Sequence, residues 1–469
     1  MPTTRVLNTG GLNLYINPIL TGNSLIRAVN VTSEPYGAKS KRSGYTTYLG
    51  TPDTAQVNSL FSWTKDDGTT LYTYRASGSV LYYSTQGTGT WTVCGNGTIG
   101  ASAKVDTTVL NNTLFIADGV GTLRYTTSGT DFTYGSLAPV AVSLNMYQNR
   151  IYATGTSSTL FYSTTGDGTN WNTSGTSDSS SLTIPGAGKL LKLIKASDRL
   201  ISTKNSGLMY RWDGYNLVDT ATELGPTSGF AVARKEGYYM YLNRDGIYGF
   251  GGGKPQLLSN PIQQQIYNNS GSGIPGAVFD SANGGIHRYD YFVSAGTVTD
   301  EFTSQTISNA IIKYDFNKNE FLNYRFNNYP TAWHSYKDAN GVQQLIVGDA
   351  SGQCYQISPS STTDNGVAIE VSMEFFFTGE APELEKKFDF LDLYFNPGNE
   401  AQVMVAIGDT FSNAQKKWIP VGDCSEGHTE FKFPAGSRGR FLFVKIIEAS
   451  KTATFKFYGY AVTYEFIKR

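Results

Sequence analysis

Short runs of alternating apolar and polar residues recur along the chain. Each is closed by a turn of Gly, Asn, Asp or Ser and followed by a second alternating run. The clearest copies are LYTYRASGSVLYYS (Leu71–Ser84), TLFIADGVGTLRYT (Thr113–Thr126), RIYATGTSSTLFYS (Arg150–Ser163) and RLISTKNSGLMYRW (Arg199–Trp212). YYMYLNRDGIYGF (Tyr238–Phe250) and QLIVGDASGQCYQI (Gln344–Ile357) follow the same plan, and between them YDYFVSAG (Tyr289–Gly296) and AIIKYDF (Ala310–Phe316) form a stretched version. Alternation of period two places every second side chain on one face, and the turn residues allow the chain to reverse, so each unit predicts a β-hairpin.

Successive hairpins start roughly 40 to 55 residues apart, with further strand candidates between them such as SAKVDTTVL (Ser102–Leu110) and GFAVARK (Gly229–Lys235). Four strands per period is one propeller blade. An isolated hairpin buries too little apolar surface to offset its chain entropy, whereas stacking blades in a closed circle covers both faces of each. The pattern therefore predicts an all-β protein: a β-propeller of about seven blades over residues 58–357, after an N-terminal segment, residues 1–57, that supplies strands or subunit contacts. SNPIQQQIYNN (Ser259–Asn269) is the one helix signal, with Ser259 as N-cap.

After residue 357 the texture changes. SPSSTTDNG (Ser358–Gly366) reads as a polar linker, and residues 367–469 alternate through IEVSMEFFF, FDFLDLYF, QVMVAIG, TEFKFP, RFLFVKIIE and ATFKFYGYAVTYEF. Such closely spaced strands predict a C-terminal antiparallel β-sandwich.

Composition agrees with this picture: 31 Tyr, 26 Phe and 51 Gly suit strands and tight turns. The formal charge is −1, without the basic excess of a free-standing nucleic-acid binder. Three widely spaced cysteines argue against a disulfide scaffold and for folding in a reducing cytoplasm. No apolar run approaches the ~18 residues of a membrane span.

Candidate chemistry is sparse. STTGDGTNW (Ser163–Trp171) is similar to the Asp-box of sialidase-type propellers, but Asp167 and Gly168 are adjacent rather than spaced by one, and the box is in any case a brace. DFNKNE (Asp315–Glu320) alternates oxygen ligands like the opening of a Ca²⁺ loop, yet has Glu320 where that loop needs Gly. GFGGG (Gly249–Gly253) lacks the helix and Lys-Ser/Thr of a phosphate cradle. His287, His334 and His428 show no ligand spacing. The expectation is a non-enzyme with no catalytic residues, cofactor or metal. Two basic clusters, Lys39, Lys41 and Arg42 in AKSKRSGY and Arg438 and Arg440 in SRGRF, read by default as solvated charge and are the candidate subunit contacts.

The opening GGLNLYINP…AVNVTSEPYGAKSKRSGYTTY resembles that of the nozzle proteins of short-tailed bacteriophages, the packaged-DNA stabilisation or tail tubular family. Gly10, Gly11, Leu12, Asn30, Val31, Arg42, Gly44 and Tyr45 carry the likeness, although Ser43 stands where that family has Pro. The closing GRFLFVKIIEASKTATFKFYGYAVTYEF is similar to its final segment. The resemblance implies a homohexameric ring in the virion tail, assembled in the host cytoplasm. Portal and adaptor proteins would lie above it, a tail needle, spike or fibre below, and double-stranded DNA would pass through and be retained until ejection. Two other functions fit a propeller: recognition of a host glycan or receptor on a phage tail, and glycoside hydrolysis.

Overall fold

A computed structural model describes residues 3–467 apart from 7–9, 15–23, 51–52, 88, 175–176, 197, 220–222, 268–272, 301–304 and 410–416. The chain is a β-propeller joined to a pair of packed sheets. Five blades are separate four-stranded antiparallel sheets, built in order from residues 57–98, 106–134, 143–183, 190–219 and 233–257. Two composite units complete the circle. Residues 284–325 give four strands at one end of a nine-stranded sheet, and residues 332–358 give three strands whose fourth neighbour is Gly44–Thr47, from the N-terminal segment. Borrowing that strand closes the ring by hydrogen bonds between the two ends of the propeller sequence.

The recurring aromatics lie between blades. Phe61, Tyr74 and Leu81 of the first blade share a core with Leu114, Ile116 and Phe132 of the second. Leu144, Ile151 and Trp171 continue the packing from the second into the third. Similar seams follow around the circle, and the last joins Ala332, Tyr336 and Ile346 to Val57, Leu60 and Leu71. Hairpins that would be marginal alone are thus covered on both faces.

The sixth hairpin is longer than its sequence pattern predicts: Asp290–Asp300 pairs with Gln305–Asp315 through a bulged register. The expected helix shrinks to a 3₁₀ turn, Asn260–Ile262, and one α-turn, Gln263–Ile266. Ser259 makes no side-chain cap; its Oγ instead accepts from Ile247 N at 3.0 Å, tying the segment to the fifth blade. Asn268 and Asn269 of that expectation, and Tyr15–Pro18 of the opening motif, lie outside the described residues.

Beyond the propeller, Val371–Phe377, Phe441–Glu448 and Gln402–Gly408 form one sheet and Lys386–Phe395, Lys456–Phe466 and His428–Lys432 the other. Their facing sides interdigitate: Phe375 stacks on Tyr460 at 4.5 Å between ring centroids, and Phe377 meets Tyr464 edge-on at 5.3 Å. This unit is not confined to residues 367–469. Thr3–Val6, Val31–Ser33 and Lys39–Lys41 join one sheet and Leu25–Val29 the other. Nor are residues 358–366 a free linker, since Thr363–Asp364 pairs alongside Tyr45 within the last propeller sheet.

Candidate functional site: the joint between propeller and paired sheets

Leu25–Val29 lies between two units of the fold. On one side it pairs in parallel with the outermost strand of the sixth blade, Val29 opposite Asn323; on the other it pairs antiparallel with Val371–Phe377. One hydrogen-bonded sheet therefore runs from propeller into the C-terminal unit without a break. The crossing itself is short, one paired position followed by Asn30 N donating to the Asn323 carbonyl at 2.8 Å, whereas the pairing with Val371–Phe377 is extended.

Residues 30–45 lock the crossing. Asn30 takes a left-handed backbone, φ 59°, which Asn tolerates better than most residues. Its Oδ1 accepts from Arg42 Nε at 2.8 Å and from Arg325 N at 2.7 Å, while its Nδ2 donates to the Glu370 carbonyl at 2.8 Å. Arg42, only 2% exposed, sends both terminal nitrogens to Asp364, at 2.8 and 2.6 Å. It also donates to the carbonyls of Ser43 and Arg325, and its Cζ lies 4.4 Å from the Phe326 ring centroid. All donors of the fork are thereby engaged, the condition under which a buried charge is tolerable.

Gly44 and Tyr45 complete the lock. A Cβ on Gly44 would stand 2.0 Å from the Thr363 carbonyl oxygen, so only glycine permits the close passage of the two backbones. Tyr45 is fully buried; its hydroxyl donates to Asn328 Oδ1 at 3.1 Å and accepts from Asn328 N at 3.0 Å. Burial drives its phenol well above the usual range.

The expected subunit contacts divide. Lys39, Lys41 and Arg42 are internal and cannot meet a neighbouring copy. Lys39 pairs with Glu320 of the sixth blade at 3.1 Å and Lys41 with Glu448 at 2.7 Å, both lysines nearly inaccessible. Burial lowers the Lys39 pKa, opposed by Glu320. Arg438 and Arg440 are exposed, near the far end of the strand Lys456–Phe466: Lys39 pairs with Phe457, while Lys386, opposite Gly439 between the two arginines, pairs with Phe466. About nine residues of strand, roughly 30 Å, separate the two clusters. Asp364, Glu320 and Glu448 have no local sequence signal, since the partners that give them meaning lie hundreds of residues away.

The other candidates prove to be braces. Asp167 caps its own turn through Thr169 N at 2.9 Å, and Trp171 Nε1 donates to the Gly168 carbonyl at 2.9 Å from within the core between the second and third blades. Asp315 accepts from Asn317 N and Lys318 N inside a hairpin turn. His287 approaches Ser335 and His334 approaches Ser62, at 3.2 and 2.8 Å. Among the described residues no group of three or more His, Cys, Asp or Glu is placed to hold a metal, and no helix is long and apolar enough to cross a membrane.

The first strands of most neighbouring blades pack on one another around the propeller centre. One mouth of that centre is crossed from the second blade to the sixth. Lys104 Nζ donates to the Ser281 carbonyl at 3.0 Å and Asn283 Oδ1 at 2.6 Å, with the Phe230 ring 5.0 Å away. Burial pushes the Lys104 pKa down to about 8.

No known protein family and no curated protein matches the chain. Solved propeller structures do. The computationally designed Ika8 protein is 12% identical over 67% of this chain and 99% of that one, with a TM-score of 0.39. The WD40 β-propeller domain of Doa1 is 11% identical over 67% and 97%, with a TM-score of 0.41. BBS1N, in its complex with ARL6DN, is 10% identical over 68% and 99%, with a TM-score of 0.46. Identities this low and superpositions this loose assign no activity or partner to this chain.

Proposed function

We propose that the chain is a structural subunit of a short-tailed phage tail: a nozzle or head-to-tail connector that assembles as a homohexameric ring, extends the DNA channel and retains packaged DNA until ejection. The observation that carries this reading is the joint. Asn30, Arg42, Gly44 and Tyr45, four of the residues on which the family resemblance rests, do no chemistry; they weld a propeller to a second unit. A subunit built to bear load needs such a weld.

Two further features suit the proposal. Because Lys104, Phe230 and Asn283 cross one mouth of the propeller, DNA would run along the axis between subunits and not through any one of them. The near-zero net charge would spare passing DNA the many phosphate contacts that slow release. Light scattering on the purified protein tests the assembly: a particle about six times the 51.1 kDa of one chain is expected. A species that stays monomeric at every concentration and in the presence of portal and adaptor proteins, or one that hydrolyses a fluorogenic sialoside, overturns it.

A further inference from the structure

Charged side chains are sorted around one end of the propeller. In each antiparallel blade the turn between the first and second strands and that between the third and fourth lie at the same end. Hydrogen bonds chain these turns into one face. Asp66 N donates to Asn112 Oδ1 at 3.0 Å, Asn111 Nδ2 to the Gly166 carbonyl at 2.9 Å, and Gln148 Nε2 to the Asp213 carbonyl at 2.9 Å. Over the first three blades this face carries Asp66, Asp67, Asp131, Asp167 and Asp178 against Lys65 and Arg150. Over the last three it carries Arg234, Lys235, Lys254, Arg288 and Lys337 against Glu236 and Asp338. The other charges at this end of the sixth blade are engaged internally: Asp290 pairs with Lys313 and Glu320 with Lys39, Asp315 caps its own turn, and Lys318 donates to the Ser33 and Glu34 carbonyls. The fourth blade, between the two sectors, carries both signs, Asp198 and Asp213 with Lys195, Arg199 and Arg211.

This division makes the face complementary to itself. Consider a two-fold axis lying in the face, through the fourth blade and between the last and the first. It lays the third blade over the fifth of a second copy, the second over the sixth and the first over the last, so every acidic blade meets a basic one. The fourth blade falls on its own counterpart. Its turn presents Tyr215, 87% exposed and held in place by Asp213, whose Oδ1 accepts from Tyr215 N at 2.8 Å and from Asn216 N at 2.7 Å. Tyr289 and Val342, also exposed, add apolar surface to the same face. Exposed tyrosine and arginine ringed by charge is the composition of a contact surface.

We propose that this face pairs with the same face of a second copy about that axis, an isologous contact set by charge. The pairing goes beyond the ring and does not need it: single chains would associate two by two, and rings would stack face to face. Salt separates the pairs, because exposed charges are screened.

Sedimentation of the full chain tests it: at low salt the particle mass should double as concentration rises, and high salt should abolish the doubling. Arg288→Glu sets a carboxylate opposite Asp131 of the second copy and should weaken pairing about tenfold. Glu236 holds the equivalent turn position at φ 50°, so the fold tolerates the change. Adding Asp131→Arg should restore pairing, since the second blade faces the sixth. The native cysteines are buried, so an introduced surface thiol is the reactive one. A short bis-maleimide should join Tyr215→Cys to itself, and should join Gly253→Cys, on the fifth blade with open space at its Cβ, several-fold less. No doubling at any concentration, no rescue by Asp131→Arg, or equal crosslinking at the two positions would each overturn the pairing. So would Arg288→Glu that leaves pairing intact and loses only binding to added duplex DNA. Absence of a six-subunit particle bears on the ring alone and leaves the pairing standing.

Discussion

Removing the Arg42 guanidinium would leave the Asp364 carboxylate buried without its counter-charge, the costly way to break an internal ion pair. Arg42→Ala is expected to destabilise by about 3–5 kcal/mol in denaturant unfolding. Replacing both partners, Arg42→Met with Asp364→Leu, should cost clearly less than either single change; additive costs would show that the pair does not act as a unit. Gly44 provides a second test at this scale. Gly44→Ala drives a Cβ into the Thr363 carbonyl, whereas the same change at Gly253 meets open space. Thermal melts should show a large loss for the first and almost none for the second. Equal effects would mean that the backbones at Gly44 can part without penalty.

At the scale of strands and blades, the closing seam carries a pH dependence. His334, in the last blade, faces Ser62 of the first, and burial lowers its pKa to about 4; His287 is lowered to about 4 as well. A histidine depressed when folded binds protons more readily when unfolded, near its ordinary 6.5. Its stabilising effect is therefore complete above about pH 6.5 and fades as pH falls toward about 4. Melting temperature should decline across that window, and the double variant His287→Gln, His334→Gln should flatten the decline. An unchanged slope would place the acid sensitivity elsewhere.

The same scale shows what was legible in the sequence. Each propeller hairpin is a local pairing with its turn between its strands, so alternation and turn residues reveal it. Leu25–Val29 and Gly44–Thr47 are short strands whose partners lie roughly 300 or more residues away, and no local pattern marks such a pairing. The basic run AKSKRSGY looks like solvated charge for the same reason: Glu320, Asp364 and Glu448, which neutralise it, are distant in sequence. Ser358–Gly366 has the composition of a linker, because the groups that allow Asp364 to be buried, the Arg42 guanidinium and Asn327 N, lie far from it in sequence. The stretched sixth hairpin was visible in outline only, since its bulges interrupt the alternation beyond Gly296.

For the whole molecule, a nine-stranded sheet is shared between propeller and C-terminal unit, and the proposed assembly takes the two together as its repeating unit. Such a body repeats around an axis only if its two flanks complement each other, and closed rings follow when the rotation between neighbours divides the circle. Arg438 and Arg440, exposed on the C-terminal unit, remain available to such a contact. Rotational averaging of electron micrographs of the purified protein, alone or with the portal and adaptor proteins that the proposal invokes, measures this directly. The proposal predicts sixfold rings with an open axial channel. Single particles without rotational symmetry under every assembly condition, or a closed axis, would contradict it.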